Sequence, residues 1–145
     1  MTICIHNRQR AVVIHTATVR KQVLQIMAYL GCPEQELSVV FGHDRLLQEL
    51  NCTYRHKDRP TNVLAFPQAP TYAGEPTSPM LGDVIVSLPT AAREAQALNQ
   101  SLEERVVYLL LHGILHLLGY EHEGSAAQRR RMEALEQEVL AYLQA

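Results

Sequence analysis

Hydrophobic and polar positions along the chain trace short strands and amphipathic helices in alternation. Ile3 and Ile5 alternate with polar neighbours, and Val12, Val13 and Ile14 follow; the two stretches read as short strands or as one hairpin. Val19, Val23, Ile26, Met27 and Leu30 recur at helical spacing, with Thr16 or Thr18 as cap and Gly31 as stop. Leu37, Val39 and Phe41 alternate across a second strand, and Asp44 is placed to cap a short helix through Leu50. Asn62 to Phe66 reads as a third strand closed by Pro67, and Gly82 to Ser87 as a fourth. Between them, four prolines and Gly74 in residues 67–81 predict a long irregular loop of a kind that is usually functional or mobile. Pro89 suits the first turn of a helix running to about Asn99. Ser101 with Glu104 forms a capping box for a helix to about Leu118. That helix is apolar nearly all round, the pattern of a helix buried within a domain. Ser125 can cap a last helix carrying Met132, Leu135, Val139, Leu140 and Leu143 on one face. The order predicts an α+β fold, a single domain over 1–145 with a mixed sheet of about four strands and helices packed on it.

Composition narrows the class. Of 145 residues, 47% are hydrophobic and 19% charged, enough for one core. A net charge of −2 excludes a protein that coats duplex nucleic acid by bulk charge. Yet residues 1–59 hold eight of the 13 Lys and Arg and only five of the 15 Asp and Glu, so the cations lean toward the first part of the chain. Cys4, Cys32 and Cys52 are odd in number, widely spaced and without a CxxC, which fits core residues in a reducing compartment. The N-terminus lacks the pattern of a signal peptide, and the most apolar run, Val106 to Leu118, is shorter than the roughly 20 residues a membrane span needs. The expectation is a soluble cytoplasmic protein with no membrane partner.

The chemistry concentrates in His112-Gly113-Ile114-Leu115-His116-Leu117-Leu118-Gly119-Tyr120-Glu121-His122. His112 and His116 are one helical turn apart on one face. Gly119 can take the left-handed conformation that turns the chain back and brings His122 to the same point. Three imidazoles with an open fourth position form the ligand set of a catalytic zinc site, where a bound water is acidified to a pKa near 7. Gly113, in mid-helix, allows either close packing or close metal approach. The spacing matches that of metzincin proteases, but their general-base Glu is replaced by Gly113, which disfavours a peptidase mechanism.

A second cluster, Arg55, Lys57 and Arg59, contains one acid, Asp58. It is either a solvated loop before a strand or a clamp for phosphate oxygens, with Tyr54 able to stack on a base. Asp83 in Leu81-Gly82-Asp83-Val84 is placed either to orient a ligand imidazole or to cap a turn. His6, His15 and His43 are isolated and read as having no metal role, and Arg129, Arg130 and Arg131 as a solvated face.

Three blocks together resemble the YbeY family of bacterial zinc-dependent endoribonucleases: Leu50 to Pro67, Leu81 to Val84, and His112 to His122. The resemblance implies one zinc ion per chain held by His112, His116 and His122, with His112 and Arg55 catalytic. It implies RNA phosphate binding by Arg55, beside which Lys57 and Arg59 are candidate phosphate contacts, and Asp83 and Glu121 are candidates to support the ligands. It further implies a central helix carrying the first two zinc histidines, and cleavage of single-stranded ribosomal RNA in the cytoplasm. The tasks implied are 16S ribosomal RNA 3′-end maturation, rRNA processing and ribosome quality control, with the small ribosomal subunit and its assembly factors as partners. Two positions depart from the family pattern: Glu121 replaces its usual Asp, and Asn62 replaces the Asp of its T-D-V-L-S-F-P. Two other readings are a metallo-hydrolase of peptides or small molecules, and a ribosome-assembly factor whose zinc is mainly structural. The nucleophile is either a metal-bound hydroxide or the ribose 2′-OH.

Overall fold

The computed structural model describes residues 3–32, 34–68, 80–120 and 124–144. Among these, the elements are β1 (Ile3–Asn7), α1 (Thr16–Tyr29), β2 (Glu36–Gly42), α2 (Asp44–Arg55), β3 (Val63–Pro67), β4 (Met80–Ser87), α3 (Leu88–Ala97), α4 (Leu102–Leu117) and α5 (Ala126–Gln144). The architecture is α+β, with five helices and a four-stranded mixed sheet in the order β1-β2-β4-β3. β1 pairs parallel with β2, and β2 parallel with β4; β3 pairs antiparallel with β4, opposing Ala65 to Val84 and Phe66 to Asp83. Among the described residues, β3 is therefore an edge strand.

The sheet is covered on both faces. On one, Val84 and Val86 join Val19, Val23, Ile26 and Met27 of α1, the apolar girth of α4, and Met132 and Val139 of α5 in the main core. On the other, Leu64 and Ile85 pack with Leu47 of α2 in a smaller cluster edged by Leu46, Leu50 and Phe66. α4 is buried on nearly every side, as its sequence predicts, and its Ser101–Glu104 capping box is formed in both directions. Ser125 and Gln128 cap α5 reciprocally.

Several local expectations give way. Val12 to Ile14 form no strand: Val13 is 83% exposed, and β1 takes β2 as its partner across α1, so there is no hairpin. Neither Thr16 nor Thr18 caps α1, whose N-cap is His15 without a side-chain bond. The cap of α2 is His43, whose Nδ1 accepts from the Leu46 N–H. Asp44 is thereby left to accept from Ser87, Thr90 and Arg93, joining α2 to α3. α2 also runs past Leu50 to Arg55. Most of the proline-rich loop, with its expected irregularity, lies outside the described residues. No described helix is long and apolar enough to cross a membrane.

Candidate active site

A cleft of about 380 Å³ runs around the edge strand β3, between the end of α2 and the middle of α4. Its walls include Arg55 from α2, Lys57 and Arg59 from the following loop, Asn62 and Ala65 on the β3 side, and His112, Gly113 and His116 from α4. Two blocks separated by more than forty residues in sequence thus meet in one cavity.

α4 places both imidazoles on the β3 side, with their Nε2 atoms 3.2 Å apart. Nδ1 of His112 lies 2.8 Å from Oε2 of Glu136 on α5, whose carboxylate is buried. Two nitrogens bound to one tetrahedral ion at about 2.0–2.1 Å would stand roughly 3.3 Å apart, so the pair fits a shared metal. Among the described residues, no third His, Cys, Asp or Glu completes a metal-binding group. His122 and Glu121 both lie outside the described residues. Their expected roles, as third ligand and as supporting carboxylate, therefore rest on sequence.

The helix ends in the manner expected of its glycine. Gly119 has a φ of 98°, its N–H donates to the His116 carbonyl, and the Tyr120 N–H donates to that of Leu115. This pattern closes a helix through a left-handed residue and sends the chain out of the helix line. Gly113 has a packing reason: a Cβ there would stand 2.7 Å from Cγ1 of Val84. A glutamate at this position, the peptidase arrangement, would have to displace the Val84 side chain.

The basic cluster divides between two elements. Arg55 is the last residue of α2, where the helix dipole favours a cation. His56 then takes a left-handed conformation, φ 58°, and turns the chain. Buried Asn51 anchors the loop beyond it: its carbonyl accepts from the Lys57 N–H, and its Nδ2 donates to the Arg59 carbonyl at 3.0 Å. Gln48 donates to Asp58, the one acid of the cluster. Among the described residues, Arg55, Lys57 and Arg59 form no ion pair, and all three line the cleft. Tyr54 is exposed and rests edge-on against Phe66, with centroids 5.3 Å apart, outside the cleft lining.

Asp83 is placed away from the imidazoles. It opposes Phe66 on the α2 face of the sheet, whereas Val84 meets Gly113 on the α4 face. The carboxylate on His112 is instead Glu136, which sequence reading missed because it sits on the apolar stripe of α5 between Met132 and Val139. A charged residue interrupting that stripe was the available signal. Asn51 was missed as well. Asn62, where the family pattern has Asp, donates to Glu94, which also takes the Arg105 guanidinium. A carboxylate at position 62 would face that of Glu94 across this contact. Burial, and next the negative charge of Glu136, push the Tyr108 phenol above its ordinary value.

Fold and cleft together define a mixed α+β protein whose paired helical histidines share one cleft with three cations that, among the described residues, form no ion pair. The family sequence model described as endoribonuclease YbeY matches residues 4–144, and the chain belongs to that family. It is 49% identical over 145 residues to the endoribonuclease YbeY of Geobacter metallireducens, covering 99% of this chain and 97% of that one. The corresponding protein of Geobacter sulfurreducens is 45% identical with the same coverage. That of Aquifex aeolicus is 45% identical over 117 residues, covering 81% of this chain and 76% of that one. The solution structure of TM1509 from Thermotoga maritima shares the fold, with a TM-score of 0.58 at 23% identity, covering 98% of this chain and 91% of that one.

Proposed function

We propose that the protein is a metal-dependent endoribonuclease that cuts single-stranded RNA in the cleft beside β3. The observation that carries this reading is the convergence of Arg55, Lys57 and Arg59 with His112 and His116 on one cavity. Arg55 offers a planar fork for two oxygens of the scissile phosphate. Lys57 and Arg59 hold neighbouring phosphates as the strand passes the edge. His112 and His116, with His122 by resemblance, hold one zinc ion per chain; bound there, it supplies Lewis acidity toward a phosphoryl oxygen. Arg55 adds positive charge where the transition state gains negative charge. Family membership supports ribosomal RNA as the substrate. It also supports action in 16S 3′-end maturation and ribosome quality control, in the cytoplasm, beside the small subunit and its assembly factors.

The test compares an unstructured RNA, the same RNA in duplex form and an unstructured peptide, with purified, chelated and zinc-reconstituted protein. Cleavage of the unstructured RNA is expected, lost on chelation and in His116→Ala, and restored by zinc only in the unsubstituted protein. Peptide cleavage without RNA cleavage would overturn the reading in favour of a peptidase. Full biological function in a folded His116→Ala variant would favour an assembly factor. A 2′,3′-cyclic phosphate end would identify the ribose 2′-OH as nucleophile.

A further inference from the structure

We infer that Glu136 is the positioning residue of His112: its carboxylate accepts the Nδ1 hydrogen and leaves the Nε2 lone pair aimed at the point shared with His116. The inference rests on the metal-site reading above and deepens it. Met132, Leu135, Val139 and Leu143 make the neighbouring positions of α5 an apolar stripe against the core. Glu136 stands within that stripe and is only 2% exposed. Burying a carboxylate there is unfavourable unless a donor compensates it. Among the described residues, its hydrogen-bonding partner is His112, at 2.8 Å from Oε2 to Nδ1.

A carboxylate has only acceptor sites, so the hydrogen in this bond belongs to the ring. An imidazole protonated at Nδ1 carries its in-plane lone pair on Nε2, the atom 3.2 Å from Nε2 of His116. Metal-binding histidines commonly give their second ring N–H to a carboxylate, which sets the tautomer and raises the basicity of the ligating nitrogen. Of the two carboxylates that the sequence offers for this task, Asp83 is on the opposite face of the sheet and Glu121 lies outside the described residues. The contact also ties the C-terminal helix to the site, so α5 docking and metal affinity are coupled through one hydrogen bond.

The test reads ring nitrogens and metal separately, on the full-length chain. Nitrogen-15 shifts of the metal-free protein, above the ordinary histidine titration range, are expected to show His112 protonated at Nδ1. Zinc affinity, measured against a chromophoric chelator, is expected to fall about 10–100-fold in Glu136→Ala. Glu136→Gln keeps an acceptor oxygen and is expected to lose less, with circular dichroism unchanged. Protonation at Nε2 in the unsubstituted protein, or zinc affinity within twofold of it in Glu136→Ala, would overturn the inference. Absence of zinc binding by the unsubstituted protein would instead overturn the metal reading, and the tautomer, read without metal, distinguishes the two failures.

Discussion

Gly113 and Val84 are in such close approach that a single added carbon at Gly113 would stand 2.7 Å from Cγ1 of Val84. A larger residue at 113 must shift either Val84 or the α4–β4 approach, one residue along the helix from His112. Gly113→Ala gains helix propensity of about 1 kcal/mol, but overpacking costs about 1–3 kcal/mol. A net loss of thermal stability is expected, together with weaker zinc binding. Combining it with Val84→Ala should recover part of the metal affinity even though the double variant has a cavity of its own. Thermal melts and chelator competition on the three proteins check this.

Arg55 is held at the end of α2 rather than in a free loop. Arg55→Ala is expected to lower kcat/KM for RNA by about 100-fold or more while zinc content stays at the unsubstituted level. Arg55→Lys keeps the charge but loses the fork, so it should recover only part of the activity. Steady-state cleavage and metal analysis of the same samples test both statements.

Asn51 spends its side chain on the Arg59 carbonyl and its main chain on the Lys57 N–H. Asn51→Ala leaves that carbonyl without its partner and should cost about 1–3 kcal/mol of stability. The larger functional effect is expected on KM for RNA, because the substitution loosens two cations of the rim and leaves the histidines in place. Denaturant melts with RNA kinetics separate the two effects.

Three cleft cations that form no ion pair among the described residues are expected to make RNA affinity depend on salt. Neutralising three phosphates on a single strand gives a slope of log affinity against log salt of about −2. Each of Lys57→Ala and Arg59→Ala should reduce that slope by about 0.7. Titrations with a fluorescent single-stranded RNA across a salt series measure it.

Asp44 accepts from Ser87, Thr90 and Arg93. Burial opposes its ionisation, but those hydrogen bonds and the Arg93 charge outweigh it and hold the carboxyl at about 2, below the ordinary 3.8. A group lowered on folding contributes stability above its unfolded value, and the contribution is lost as pH falls through the folded value. The window is therefore from about pH 4 down to about pH 2. The carboxylate is about a third exposed, so solvent screens the Arg93 pair. Asp44→Asn is expected to lower the melting temperature by about 2–4 °C at neutral pH. The gap between the two proteins should narrow through the acid window, which calorimetry over pH will show.

The elements that sequence reading placed well are those whose cause is local. Ser101 and Glu104 cap each other within one turn, Gly119 closes α4 where a left-handed residue is needed, and the recurrence of His112 and His116 is a matter of helical period. Where a distant partner decides, the reading diverges. Val12 to Ile14 are apolar and β-branched but have no strand beside them. His43 takes the cap expected of Asp44 because Ser87, Thr90 and Arg93 claim the carboxylate from across the fold.

The sequence by itself determined the α+β class, the paired histidines on a buried helix, the cationic cluster and the family resemblance. Each follows from residue type, spacing and order along the chain. Only the tertiary structure decided that the cations and the histidines share a cleft, that Asp83 faces away, and that Glu136 meets His112. Those outcomes depend on which strand lies at the sheet edge, which face each pleat presents, and how α5 docks on α4. They are long-range packing relations, and no local period encodes them.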